Sequence, residues 1–124
     1  MDRKRGSKGE VNLIELVPER SIDYETREGT LVTILRPRFT GRLARRFLEP
    51  RTKVKTYRVD LDEIGSAVWN LCDGERTVGE IGKEMRAMFG EDIEPCYDRL
   101  AVFFANLEAS GFIRYVNMDE VADR

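Results

Sequence analysis

The chain has 124 residues, 41% hydrophobic and 35% charged, with 21 Lys or Arg against 23 Asp or Glu and no histidine. That length suits one domain with a modest core, and the composition is that of a soluble globular chain rather than a disordered one. The missing histidine excludes Ser-His-Asp and Cys-His nucleophiles, a His general base and a His metal ligand.

Two cysteines, Cys72 and Cys96, are too few for a thiolate zinc site or a disulfide scaffold. They are expected as buried structural thiols. No run of about 18 apolar residues is present to span a membrane. The basic N-terminus (Arg3, Lys4, Arg5, Lys8) has no apolar stretch behind it to form a secretory signal. The expected location is the cytoplasm.

The net charge of −2 conceals strong segregation. Residues 36–58 carry nine basic side chains against Glu49 alone, whereas residues 59–124 carry six basic and fifteen acidic ones. Such a division bears on partners more than the isoelectric point does.

In chain order, residues 1–20 read as a flexible lead-in, with a short strand or docked arm around Val11 to Val17 as the alternative. Ile22, Tyr24 and Thr26 alternate with polar residues, which predicts a half-buried strand. Glu28-Gly29 supplies a tight turn, and the β-rich run from Leu31 stops at Arg36-Pro37. A hairpin over 22–36 follows. Within a basic connector at 37–53, Phe39, Leu43 and Phe47 fall four apart with Arg42, Arg45 and Arg46 between them. That spacing predicts one or two helical turns with the arginines outside. Tyr57, Val59 and Leu61 alternate again and predict a third strand at 54–60.

Three helices are expected next. Asp60 to Glu63 offers a cap, Ile64, Val68 and Leu71 recur at helical spacing, and Asp73-Gly74 ends the first helix. Thr77-Val78-Gly79-Glu80 has the form of a capping box for the second. Pro95 suits the start of the third, in which Tyr97, Leu100, Phe104 and Leu107 recur until Gly111. Phe112 to Val116 could add a short strand. The fold class is therefore α+β and winged helix-turn-helix-like: a three-stranded antiparallel sheet followed by three helices. The expected domain covers 21–116, with 117–124 as a C-terminal tail.

Nothing in the sequence signals catalysis, a cofactor or a metal. The glycines form no phosphate loop. The carboxylate clusters Asp60, Asp62, Glu63 and Glu91, Asp92, Glu94 stand at helix starts, where capping accounts for them. A binding module is the expectation. Nucleic acid is disfavoured as partner, because the third helix offers Arg99 amid Glu94, Asp98 and Glu108. The segment around Phe39, Leu43 and Phe47 is short for stable attachment to an anionic membrane. A homodimer through pairing or exchange of edge strands is a further alternative.

Peptide capture by strand addition fits best. Micromolar affinity needs about −8 kcal/mol. Ladder hydrogen bonds contribute about 1 kcal/mol each, so two or three apolar anchors of about 1.5–3 kcal/mol are required as well. A groove between the third strand and the third helix would hold them, with Tyr57, Val59, Leu100, Phe103 and Phe104 in range.

The run Leu61-Asp62-Glu63-Ile64-Gly65-Ser66-Ala67-Val68-Trp69-Asn70-Leu71-Cys72-Asp73-Gly74, followed by Thr77-Val78-Gly79-Glu80-Ile81, closely resembles the PqqD family. Leu100, Phe104, Leu107 and Gly111-Phe112-Ile113 resemble that family's last helix and its exit, so the likeness covers roughly residues 55–116. The resemblance implies a non-enzymatic winged-helix peptide chaperone of the kind that serves pyrroloquinoline quinone biosynthesis. Such a protein holds the leader of a ribosomally made precursor peptide and presents it to a radical S-adenosylmethionine enzyme. It also implies that the leader adds to the third strand and lies against the third helix. The candidate peptide-binding residues are then Tyr57, Val59, Leu100 and Phe103 for apolar contact, and Arg58 and Arg99 for leader carboxylates.

Overall fold

The computed structural model describes residues 12–37 and 56–123. The helical turns expected around Phe39, Leu43 and Phe47 lie outside them. Strand β1 (Pro18–Arg20) is followed by the hairpin of β2 (Tyr24–Arg27) and β3 (Leu31–Pro37). Strand β4 (Thr56–Asp60) precedes α1 (Glu63–Leu71), α2 (Val78–Phe89) and α3 (Cys96–Ala109). A last strand β5 (Ile113–Tyr115) and a short helix α4 (Met118–Ala122) close the chain. The main sheet is antiparallel in the order β2-β3-β4, as the α+β winged-helix reading expects.

Local chemistry explains three of the boundaries. Glu28 and Gly29 take φ of 49° and 85°, the left-handed geometry that a tight hairpin turn demands and that glycine enters without strain. Asp62 caps α1 by accepting a hydrogen bond from the Gly65 amide at 2.7 Å. Thr77 and Glu80 form both bonds of the capping box that starts α2.

Residues 12–20 take the docked-arm alternative rather than that of a loose lead-in. Asn12 caps a 3-10 turn at Leu13–Glu15, Leu16 is buried, and β1 pairs antiparallel with β5. Arg20 donates from Nη1 to the carbonyls of Trp69 and Asn70 at 3.0 and 3.1 Å, satisfying the C-terminal end of α1. The expected tail at 117–124 contributes as well. Asn117 accepts from the Val17 amide at 2.8 Å and donates to the Glu15 carbonyl at 2.9 Å.

The core lies between the inner face of β3 (Val32, Ile34) and the apolar sides of the three long helices, with Trp69 and Phe104 fully buried at its centre. The buried Ser66 hydroxyl ties α1 to the sheet. It accepts from the Val32 amide at 2.9 Å and donates to the Leu61 carbonyl at 3.3 Å. Ser66→Ala leaves the Val32 N–H without its partner and costs about 1–3 kcal/mol, which chemical denaturation will read as an earlier midpoint with unchanged slope.

Candidate functional site

The edge of β4 is the first part of the site. Among the described residues β4 is hydrogen-bonded on one side only, to β3. The Leu61 amide donates to the Val32 carbonyl, so by alternation Tyr57 and Val59 also direct their backbone groups towards β3. Thr56, Arg58 and Asp60 then direct theirs outwards. Pro37, which has no N–H to offer β4, stands opposite Thr56, as this phase requires. The outward row is a template for one more strand.

The two sides of β4 differ. Tyr57 and Val59 share a face with Ile34, which is buried under the helices, yet they are 55% and 36% exposed. Uncovered apolar area therefore continues from the core along this face. On the opposite face Arg58 reaches across β3 to Glu25 at 2.6 Å, and Asp60 accepts from the Thr33 hydroxyl at 2.7 Å.

A groove of about 560 Å³ is the second part. It lies between the first half of α1 and α3 and reaches Asp62, two residues beyond the end of β4. Its lining is mostly apolar, with Ile64, Val68, Ile93, Leu100, Val102 and Phe103. Asp62, Asp98, Arg99 and Asn106 supply the polar groups. Gly65 fits closely beneath its own cap: a Cβ there would lie 3.1 Å from the capping oxygen of Asp62, a tight approach, and in ordinary contact, at 3.6 Å, with the Phe103 ring.

The sequence-predicted residues thus fall into two sets. Arg99, Leu100 and Phe103 come together in the groove, whereas Tyr57, Arg58 and Val59 line the adjoining strand, with Arg58 on the other face from its neighbours. The wall facing α3 is α1, where the sequence reading placed the third strand. Phe104, also expected within range, is wholly buried in the core. Ile64, Gly65, Val68 and Val102 were missed as lining residues. The repeat Ile64 to Val68 beside a glycine was the available signal, and it reads equally well as core.

The charges on the groove differ in how they are committed. Arg99 donates from Nη1 to the Asp92 carbonyl at 2.8 Å and makes no ion pair among the described residues. Nearby, the Glu94 carboxyl holds Arg86 at 2.8 Å across the α2–α3 corner. The side-chain bond from Arg86, and then the Cys96 amide, holds Glu94 below its ordinary value of 4.5. A lowered carboxylate pKa stabilises the fold above the unfolded value and loses that contribution as pH falls through the folded one. NMR titration of the Glu94 carboxyl is therefore expected to give a midpoint under 4.5.

Neither cysteine is set up as a nucleophile. Both are buried, and Cys72 donates to the Val68 carbonyl at 3.3 Å. Burial pushes the Cys72 thiol up to about 12, outweighing the opposing effect of Arg20, and burial also raises Cys96. Thiol alkylation at pH 8 is expected to be blocked in the native protein and to reach both residues after unfolding. Among the described residues no group of His, Cys, Asp or Glu is arranged to hold a metal ion, and no helix is long and apolar enough to cross a membrane.

Among the described residues the domain is winged-helix-like and ends its main sheet in a strand with one unpaired edge, next to an apolar groove. Residues 47–113 match the family model described as coenzyme PQQ synthesis protein D (PqqD). The match spans more than half of the chain, and the chain belongs to the PqqD family. It takes in β4, α1, α2 and α3, the elements that build the site. No curated protein and no solved structure matched.

Proposed function

We propose that this chain is a non-catalytic peptide-binding protein of the coenzyme PQQ synthesis class. On this reading it captures the leader of a ribosomally made precursor peptide and presents it to a radical S-adenosylmethionine enzyme. The observation that carries the reading is the continuity of the β4 edge with the α1–α3 groove through Leu61 and Asp62. An extended peptide would pair with the outward backbone groups of Arg58 and Asp60. Its apolar side chains would meet Tyr57 and Val59, then enter the groove over Leu100 and Phe103. Arg99, free of an acidic partner among the described residues, would receive a leader carboxylate; Arg58 would do so only by sharing Glu25.

Energetics favour this combination over either part alone. Backbone pairing along so short a strand yields only a few kcal/mol, which association entropy largely offsets. Apolar anchors in the groove supply the remainder and the selectivity. The test is titration of the isotopically labelled protein with a synthetic precursor leader. Amide shifts should concentrate at residues 57–60 and 98–106. Saturable binding that leaves both stretches unmoved sinks the assignment of the site.

A further inference from the structure

A module that presents a peptide must hold peptide and enzyme together, so its contact with the enzyme has to leave the β4 edge and the α1–α3 groove open. We infer that the modifying enzyme docks at a second apolar pocket, on the other flank of α1, through a basic segment that sets an apolar side chain against Met88. The identity of the partner rests on the function proposed above, whereas the pocket and its charge do not.

The pocket has a volume of about 290 Å³ and lies where α1 and the end of α2 approach the turn of the β2–β3 hairpin at Thr30. Its apolar lining is Ala67, Leu71, Met88 and Phe89. Asn70 donates to the Thr30 carbonyl at 3.5 Å and ties α1 to the hairpin beside it. Helix α1 gives Ile64, Gly65 and Val68 to the groove but Glu63, Ala67, Asn70 and Leu71 to the pocket. The helical repeat sets these on different sides of α1, so an occupant of one site leaves the other free.

Met88 carries the apolar part of the contact. Among the exposed large apolar side chains of the described residues, Tyr57, Val59 and Val102 belong to the peptide site, and Tyr24 packs on Trp69. Met88 is 52% exposed, stands outside that site and lines the pocket. Its unbranched thioether adapts to the shape of a partner side chain.

The charge names the partner's chemistry. Glu63 lines the pocket, and among the described residues no Lys or Arg does. Glu84 stands one turn before Met88 on the same side of α2, and Glu80 one turn before that. Arg86 is turned away, held by Glu94 at 2.8 Å and lying over the Tyr97 ring at 4.8 Å. An acidic rim around an apolar floor favours a basic segment of a protein partner and turns away the carboxylates that Arg99 would meet in the groove.

Calorimetric titration of the full chain with the purified radical S-adenosylmethionine enzyme of its pathway, and separately with a synthetic precursor leader, tests this. Met88→Lys and Glu84→Lys should each weaken enzyme binding at least about tenfold, while leader affinity stays within about twofold of the wild type. The retained leader affinity shows both variants to be folded. Phe103→Ala should do the reverse, weakening the leader and sparing the enzyme. Enzyme affinity of the wild type should also fall as salt rises. Variants at Met88 and Glu84 that bind enzyme like the wild type, or a wild type that binds leader but no enzyme, overturn the docking surface and leave peptide capture standing. Loss of enzyme and leader together in these variants overturns the separation of the two sites. A chain that binds no leader but loses the enzyme on Met88→Lys keeps the docking surface and removes the peptide reading.

Discussion

Replacing Arg58 by proline should abolish leader capture while leaving the sheet intact. The phase of β4 makes the two effects separable. The Arg58 amide faces away from β3, so its loss costs no bond within the protein, whereas the same change at Val59 would remove a rung of the β3–β4 ladder. For an incoming strand the proline removes a donor and sets a ring against the approaching backbone. A loss of about 2 kcal/mol, or roughly thirtyfold in affinity, is the minimum expected. Calorimetric titration with a precursor leader gives the affinity, and a thermal midpoint close to that of the wild type shows that the fold survives. Arg58→Ala keeps the amide, loses the exposed ion pair with Glu25 and the carboxylate contact shared with it, each worth about 1 kcal/mol or less, and should bind within a few-fold of the wild type.

The second large effect concerns the core on which the site stands. Trp69→Ala should cost about 3–5 kcal/mol and lower the thermal midpoint by more than about 10 °C. The indole is fully buried and packs edge-on against Tyr24 with ring centroids 5.6 Å apart. Its α1 backbone carries the carbonyl that Arg20 caps, so the cavity opens where the docked arm, the helix and the sheet meet. The Trp69 Nε1 group is buried without a hydrogen-bond partner among the described residues. Trp69→Phe therefore removes an unsatisfied donor along with part of the ring, and should cost under about 1.5 kcal/mol. Circular dichroism melts of the two variants separate the volume effect from the polar one. A phenylalanine variant as unstable as the alanine one would show that the indole N–H has a partner in solution.

Much of this was legible from the chain, and the parts that were not share a physical reason. The hairpin followed from Glu28-Gly29 because the left-handed geometry needed there leaves few residue choices. The capping box at Thr77 and Glu80 followed from a spacing that only a helix start satisfies. Such signals are local. Apolar periodicity tells which side of a helix is covered but not which element covers it. Ile64 and Val68 were therefore read as core, whereas they also form the wall of the groove opposite Phe103. Likewise, Arg58 looked free in sequence. Its partner Glu25 lies two strands away, and only the register β2-β3-β4 brings them together. Pairing of Pro18–Arg20 with Ile113–Tyr115 joins the two ends of the domain, a contact that no window of neighbouring residues contains. The charge division also acquires a location. Among the described residues, Asp62 and Asp98 on the groove stand with Arg99 as its one basic lining residue, which favours a peptide over a polyanion as the occupant.

The central claim is that a peptide strand adds to the outward row of β4. Intermolecular nuclear Overhauser contacts between a labelled chain and an unlabelled precursor leader test it most directly. Strand addition should give contacts from the backbone amides of Arg58 and Asp60 to the peptide backbone, weaker ones from Tyr57 and Val59, and side-chain contacts to Leu100 and Phe103. Contacts from Tyr24 and Thr26 on the β2 edge, or from α2 alone, with Arg58 and Asp60 untouched, would contradict it.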